Sequence, residues 1–293
     1  MTQVTGKRAE AETAANAPSV PRPVRPVRWG AATLGSVAIL VGLLIGLPVI
    51  VLVARALFDG SLVRTLGSAA VVDALALSLS TTAVSLALTI VIGLPLAYVF
   101  ARRRFRGSGL LEALVDLPIV LPPSVAGLAL LLVFGRRGLL GPALDAVGLE
   151  LPFTTLAVIV AQGFVSAPFF VRSARVGIAA VDRDLEDAAR VDGASEIEVV
   201  RSITLPLASS ALAAGIVMSW ARSLGEFGAT IMFAGNIEGR TQTLPLLVYG
   251  EFQGGDLETS IAAAAILVLA ALGVLLAVRA LHWGRVLDFR GGG

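Results

Sequence analysis

The residue types that carry most protein chemistry are nearly missing from this chain. It has no cysteine, so it can form neither a thiolate metal site nor a cysteine nucleophile. Its single histidine, His282, cannot build a histidine metal cluster. The only lysine is Lys7, near the N-terminus, so no G-x-x-x-x-G-K-[ST] phosphate loop exists anywhere in the sequence. What remains is electrostatic and conformational. Arg222 and Glu226 stand four residues apart inside a long apolar stretch, the spacing that puts two side chains on one face of a helix. Unpaired charge in a bilayer costs at least about 2.5–3.5 kcal/mol, so the two should pair or face a polar cavity. They stand beside a permeation path, or they lock a bundle as a structural ion pair. Pro118, Pro122 and Pro123 fall within six residues of another apolar run. They predict a break in that helix, either a gate that bends or a static kink.

A third constellation is polar. Residues 182–206 read DRDLEDAARVDGASEIEVVRSITLP. Asp184 to Val191 predicts a short helix with Ala188 and Ala189 side by side, Gly193 marks its end, and a second short helix follows over Glu196 to Ile203. Pro206 suits the first turn of the next apolar segment. The expected object is a protruding knob whose small residues let a partner's backbone come close. The surrounding acids Asp184, Glu186, Asp187 and Asp192 are expected to give it polar complementarity to that partner.

The elements that must hold these groups are set by composition. Of 293 residues, 56% are apolar and another 31 are glycine, whereas only 15% are charged. Soluble domains carry about 25% charge. Six segments are long and apolar enough to cross roughly 30 Å of hydrocarbon: 30–54, 74–101, 110–134, 154–178, 207–233 and 260–281. The runs exceed the length of barrel strands and lack their alternation, so the expected fold is an all-α, polytopic helical bundle with six transmembrane helices. Residues 1–28 are polar and proline-rich and are expected to be a disordered tail, 29–283 the membrane domain, and 284–293 a C-terminal tail. The first apolar run is longer than the 7–15 residues of a signal h-region and should stay in the membrane. The stretch LPLLVYGEF is too short to span and predicts an interfacial or re-entrant helix. His282 and Trp283 are expected to anchor the last span at the interface.

Orientation follows from the basic residues. With the N-terminus inside, 17 lysines and arginines fall on the inner side and five on the outer side, which predicts that both termini are cytoplasmic. The run Arg102 to Arg106 reads as the anchor of the second span. The formal charge of +2 is too small and dispersed to suggest a nucleic-acid partner.

Asp187, Ala188 and Ala189, then Gly193, Ile203, Leu205 and Pro206, resemble the E-A-A loop of ATP-binding-cassette importer permeases, with Asp187 where glutamate is usual. The segment MSWARSLGEFGATIMFAGNIEGRTQTLPLLVYGEF, together with DLPIVLPPSVAG and FGRRGLLGP, is similar to molybdate permeases and to their sulfate and tungstate relatives. The resemblance covers residues 70–280. It implies the permease fold of type I importers and a homodimer with a separate ATPase dimer beneath it. An extracytoplasmic oxyanion-binding protein would stand above, and the lipid bilayer would surround the dimer. It implies no cofactor on this chain, since ATP and Mg would sit on the ATPase. The residues it assigns to coupling are Glu186, Asp187, Ala188, Ala189, Gly193, Ala194, Ile203, Leu205 and Pro206. Those it assigns to the pathway or gate are Pro118, Pro122, Pro123, Ser124, Arg222, Ser223, Gly225, Glu226, Gly228 and Thr230. Two rival classes are weaker. A channel or secondary carrier would need its own coupling residues in the spans, where beyond Arg222 and Glu226 only Glu112 and Asp116 stand near a helix end. A membrane enzyme would need a nucleophile with a base, and no credible set exists.

Overall fold

The computed structural model describes residues 31–288, with side chains from Gly35 to Leu276. Every element in that range is helical. The expected tail 1–28 lies outside the described residues, as do the side chains of His282 and Trp283. Of the expected C-terminal tail, residues 284–288 continue the last helix and 289–293 lie outside. The chain divides into two units at Pro48. The N-terminal unit contributes the start of α1 (Ala31–Phe58), and the second unit begins at Val49.

The second unit holds α2 (Ser61–Leu66), α3 (Ala69–Arg102), α4 (Ser108–Val120), α5 (Pro123–Phe134), α6 (Gly141–Asp145), α7 (Thr155–Ala179), α8 (Arg183–Val191) and α9 (Glu196–Val199). A π-helical turn, Val200–Thr204, leads into α10 (Leu205–Leu207), α11 (Ser209–Leu224), α12 (Gly228–Phe233), α13 (Leu244–Gly254) and α14 (Leu257–Asp288). Within α1, α3, α7 and α14 the segments Gly35–Phe58, Ala69–Arg102, Thr155–Ala179 and Leu257–Leu276 are long and apolar enough to cross a membrane. The other two expected spans are not single helices. The third is α4 and α5, parted at Leu121 and Pro122, both of which have extended backbone. The fifth is α11 and α12 parted at Gly225, and it is entered through a 75° bend between Glu196–Leu207 and Ser209–Leu224. Pro206 has no N–H to continue the helical ladder, and the wide π turn precedes it, so the bend has a local cause. The short helix expected over LPLLVYGEF is α13.

The bundle packs through small residues, because in lipid there is no hydrophobic gain in bringing two apolar helices together and close backbone approach must supply the contact. The buried stripe of α3 includes Ala74, Ser78, Thr82, Ser85, Thr89, Gly93 and Ala97, spaced three or four apart, with Phe100 at its end. It faces α7, where a Cβ on Gly93 would stand 3.0 Å from Val171. The α7 and α11 helices approach as closely: a Cβ on Gly177 would lie 2.4 Å from that of Ala211. Leu88, Val91 and Ile92 point outward from the same α3, as a lipid-facing surface requires.

Candidate functional site: a charged knob and two broken spans

The knob forms from α8, Gly193 and α9. Asp182 caps α8 by accepting a hydrogen bond from the Asp184 amide. The helix ends in a Schellman turn: the Ala194 amide donates to Ala189 O at 3.0 Å and the Gly193 amide to Arg190 O at 3.1 Å. Gly193 takes φ +93°, which any residue with a Cβ resists. Ser195 and Glu198 then close a reciprocal capping box that starts α9. Arg190 ties the two helices across the turn. Its guanidinium donates to both Glu196 carboxylate oxygens, at 2.8 and 3.2 Å, and to Asp187 Oδ1 at 2.6 Å. These donors hold the Glu196 carboxyl below the usual carboxylate range, with the hydrogen bond from Arg190 the largest cause, and raise the pKa of Arg190 through Glu196 first. Hydrogen bonds from Ser195, the backbone amide first, likewise hold Glu198 low.

Glu186 does not join the other three acids in offering polar complementarity at the knob's surface. Its side chain is only 2% exposed and points away from the knob's surface. Glu186 Oε1 accepts from Arg102 Nη2 at 2.7 Å and from Thr204 Oγ1 at 2.7 Å. Arg102 also donates to Val181 O at 3.1 Å. One carboxylate thus joins the end of α3, the knob and the π turn. Arg102 is therefore more than a topological anchor. Asp187 and Ala188 are exposed, and Ala189 is half-buried. The outward face also carries Leu185, Val191 and Ile197, the last two 87% and 78% exposed. Ile203 lies half-buried in the π turn, and Leu205 and Pro206 open α10.

The two broken spans meet. Pro118 is buried within α4, Pro122 caps α5 and Pro123 is its first residue. A Cβ on Gly228 would stand 2.6 Å from Pro123 Cβ and 3.2 Å from Ser124 N, and one on Gly127 would stand 2.6 Å from Ala229 O. Glycines at both points let α5 and α12 touch backbone to backbone. Arg222 and Glu226 pair as their spacing predicts, Nη1 to Oε2 at 2.6 Å, in a contact that lacks hydrogen-bond alignment. The helix nevertheless ends between them, at Leu224 with Gly225 as its cap. Glu226 Oε1 accepts from the Ala229 amide at 2.7 Å, so the same carboxylate also caps α12. Its side chain is fully buried and that of Arg222 is 29% exposed. Nearby, Ser219, Ser223 and Thr230 have buried hydroxyls that make no hydrogen bond among the described residues.

Sequence reasoning missed Arg102, Thr204 and Gly127. Arg102 pairs across 84 positions, and nothing local marks its partner. The exposed Leu185 and Val191 were readable as apolar residues six apart on a polar helix.

Among the described residues no group of histidine, aspartate or glutamate could hold a metal ion. The sequence profile of the family described as "Binding-protein-dependent transport system inner membrane component" matches residues 89–283. A molybdenum transport system permease protein of Mycobacterium tuberculosis is 44% identical over 207 residues, covering 71% of this chain and 78% of that protein. A sulfate transport system permease protein of Salmonella typhimurium is 38% identical over 192 residues, covering 66% of this chain and 69% of that one. The fold is similar to a chain of a bacterial ABC transporter involved in the import of the acidic polysaccharide alginate, with a TM-score of 0.68, 18% identity, and coverage of 85% and 93%. Matched over residues 89–283 by that family, with a fold similar to a chain of an ABC transporter, the chain belongs to the binding-protein-dependent inner membrane transport components, as an ABC importer permease.

Proposed function

We propose that this chain is the permease through which molybdate enters the cytoplasm, working as a homodimer with two copies of a separate ATPase and an extracytoplasmic oxyanion-binding protein. The observation that carries the substrate is the 44% identity to a molybdenum permease across most of both chains. Both termini and the knob lie on the cytoplasmic side, supported by the 17 to 5 distribution of basic residues. The knob's apolar outer face, Leu185, Ala188 and Val191, enters a groove on the ATPase, while Glu186 transmits its position to α3 and the π turn. ATP binding draws the ATPases together, moves the knobs and opens the permease outward. Hydrolysis reverses the movement. The breaks at Leu121 to Pro122 and at Gly225 are where α4/α5 and α11/α12 bend. Pro118, Ser124, Arg222, Ser223, Glu226, Gly228 and Thr230 border the route. Arg222 offers donors to a dianion, and Glu226 cancels most of its field, so the anion is not held tightly.

A second reading, sulfate as the cargo, is favoured by the 38% identity to a sulfate permease. The test is uptake into proteoliposomes holding the permease, the ATPase and the binding protein. We expect ATP-dependent molybdate uptake that tenfold sulfate does not suppress. Suppression by sulfate would favour the second reading, and uptake driven by an ion gradient without ATP would overturn both.

A further inference from the structure

Two cavities lie one above the other between α3, α4 and α7. The first, about 680 Å³, lies at the helix ends and is lined by Arg102 of α3, its cap Arg103, Arg104 of the loop that follows, Glu112 of α4, Arg175 of α7 and Arg183 of α8. Arg102 is taken by Glu186, and Arg175 pairs with Glu112 at 2.8 Å. Arg103, Arg104 and Arg183 are left exposed, and neither Arg104 nor Arg183 makes an ion pair or side-chain hydrogen bond among the described residues. The second cavity, about 350 Å³, is lined by Ile92 and Leu96 of α3, Leu114 of α4, and Val160, Phe164 and Val171 of α7, with few polar atoms.

The spacing along each helix connects them. From Leu96 to Phe100 on α3, and from Val171 to Arg175 on α7, is four residues, about one turn or 6 Å. On α3 the apolar slot runs from Ser85 to Leu96, roughly 16 Å at 1.5 Å per residue. One leaflet of a bilayer is about 15 Å deep, half of the roughly 30 Å hydrocarbon core. The slot therefore has the length of one leaflet, is open to the lipid along the exposed Leu88 and Ile92, and ends in a pocket with three exposed guanidiniums, of which Arg103 also lies within electrostatic reach of Glu196.

We infer that this paired cavity binds one anionic phospholipid, its phosphate on Arg103, Arg104 and Arg183 and one acyl chain in the slot between α3, α4 and α7. Basic pockets between helices at a membrane interface select anionic headgroups because the charge is desolvated on one side and the anchor is apolar on the other. A zwitterionic lipid brings its own cation into a pocket already positive. A free oxyanion satisfies the guanidiniums but leaves the slot unused. The headgroup would sit beside Arg102 and the first residue of α8, so its occupancy would stiffen the joint between α3 and the knob. Placing the lipid in the cytoplasmic leaflet rests on the orientation proposed above; binding itself does not.

The test is the lipid that stays with the purified full-length permease after exchange into mixed micelles holding equal phosphatidylglycerol and phosphatidylcholine, weighed by mass spectrometry. We expect roughly tenfold or greater enrichment of phosphatidylglycerol. Arg104→Gln with Arg183→Gln should bring the ratio close to one, and Arg104→Lys with Arg183→Lys should keep most of it. Arg201→Gln, an exposed charge outside the cavity, should change nothing. Ile92→Trp, which obstructs the slot at an exposed position, should lower retention while the arginines stay intact. Equal retention of both lipids, or enrichment that survives the glutamine pair, would overturn the assignment. Displacement of the lipid by millimolar inorganic phosphate or molybdate would convert the pocket into a soluble-oxyanion site. Cross-linking of a cysteine at Ile92 to a second copy would show that a protein helix fills the slot. Loss of molybdate uptake with the lipid still enriched would count against the transport reading alone.

Discussion

Removing either partner of the buried pair Arg102 and Glu186 should loosen the knob, and removing both should loosen it less. The two side chains are 8% and 2% exposed and stand 2.7 Å apart. Breaking such a pair leaves an uncompensated buried charge, at a cost of about 3–5 kcal/mol, whereas replacing both partners by apolar residues of similar volume is often close to neutral. The two single changes are not equal. Arg102→Met leaves Glu186 its bond from Thr204 and a distant contact with Arg190 at 3.9 Å. Glu186→Leu leaves the Arg102 charge without a counter-ion, with only its bond to Val181 O, and also removes the acceptor of the buried Thr204 hydroxyl. We therefore expect about 3 kcal/mol for Arg102→Met and somewhat more for Glu186→Leu, with the double variant below either. At about 1.4 kcal/mol per tenfold, a 3 kcal/mol loss is a roughly 150-fold rise in local opening. Hydrogen exchange of the α8 amides reads that opening directly, and near-additive losses in the double variant would show that the pair does not act as one unit.

Other expectations follow from the same geometry. Gly193→Leu meets no neighbour within 4 Å but must hold φ +93°, a strain of roughly 1–2 kcal/mol; ATPase co-purification should fall, while Gly193→Asn, which tolerates that backbone, should keep most of it. For Arg222 and Glu226, each alanine variant should reduce uptake more than the double variant, and simple addition of the two losses would assign them separate roles. The Arg190 bridge to Glu196 should depend on pH with a fixed sign. Because the folded-state pKa of Glu196 is depressed, the stabilisation is complete above the ordinary carboxylate range near 4.5 and is lost as pH falls through the lower folded value. Protection of the Gly193 and Ala194 amides should follow that loss in the wild type and be flat in Arg190→Met.

Much of this was legible in the sequence because it is local. The turn at Gly193 and the break at Pro122 are each specified by residues within four positions of the feature. The Arg222 and Glu226 contact was legible for the same reason, even though the helix ends between them; Gly225 weakens helix continuation but does not by itself announce a stop. The inward turn of Glu186 was not legible. A glutamate flanked by Leu185 and Asp187 on a polar helix reads as surface, and only the approach of Arg102 and Thr204, distant in sequence, makes its burial favourable. The contact of Gly127 with Ala229 is hidden for a related reason, since a glycine in a glycine-rich membrane chain does not indicate which neighbour it admits.

The central claim is that force reaches the membrane spans through the outer face of α8. Val191 is 87% exposed on that face, and the native chain has no cysteine, so Val191→Cys adds the only thiol of the permease. In the assembled transporter we expect this residue to cross-link to a cysteine lining the groove of the ATPase, and the cross-link to stop ATP-driven molybdate uptake until it is reduced. A permease whose Val191→Cys stays free to react with a soluble reagent in the assembled complex, while uptake runs at the wild-type rate, would contradict the account.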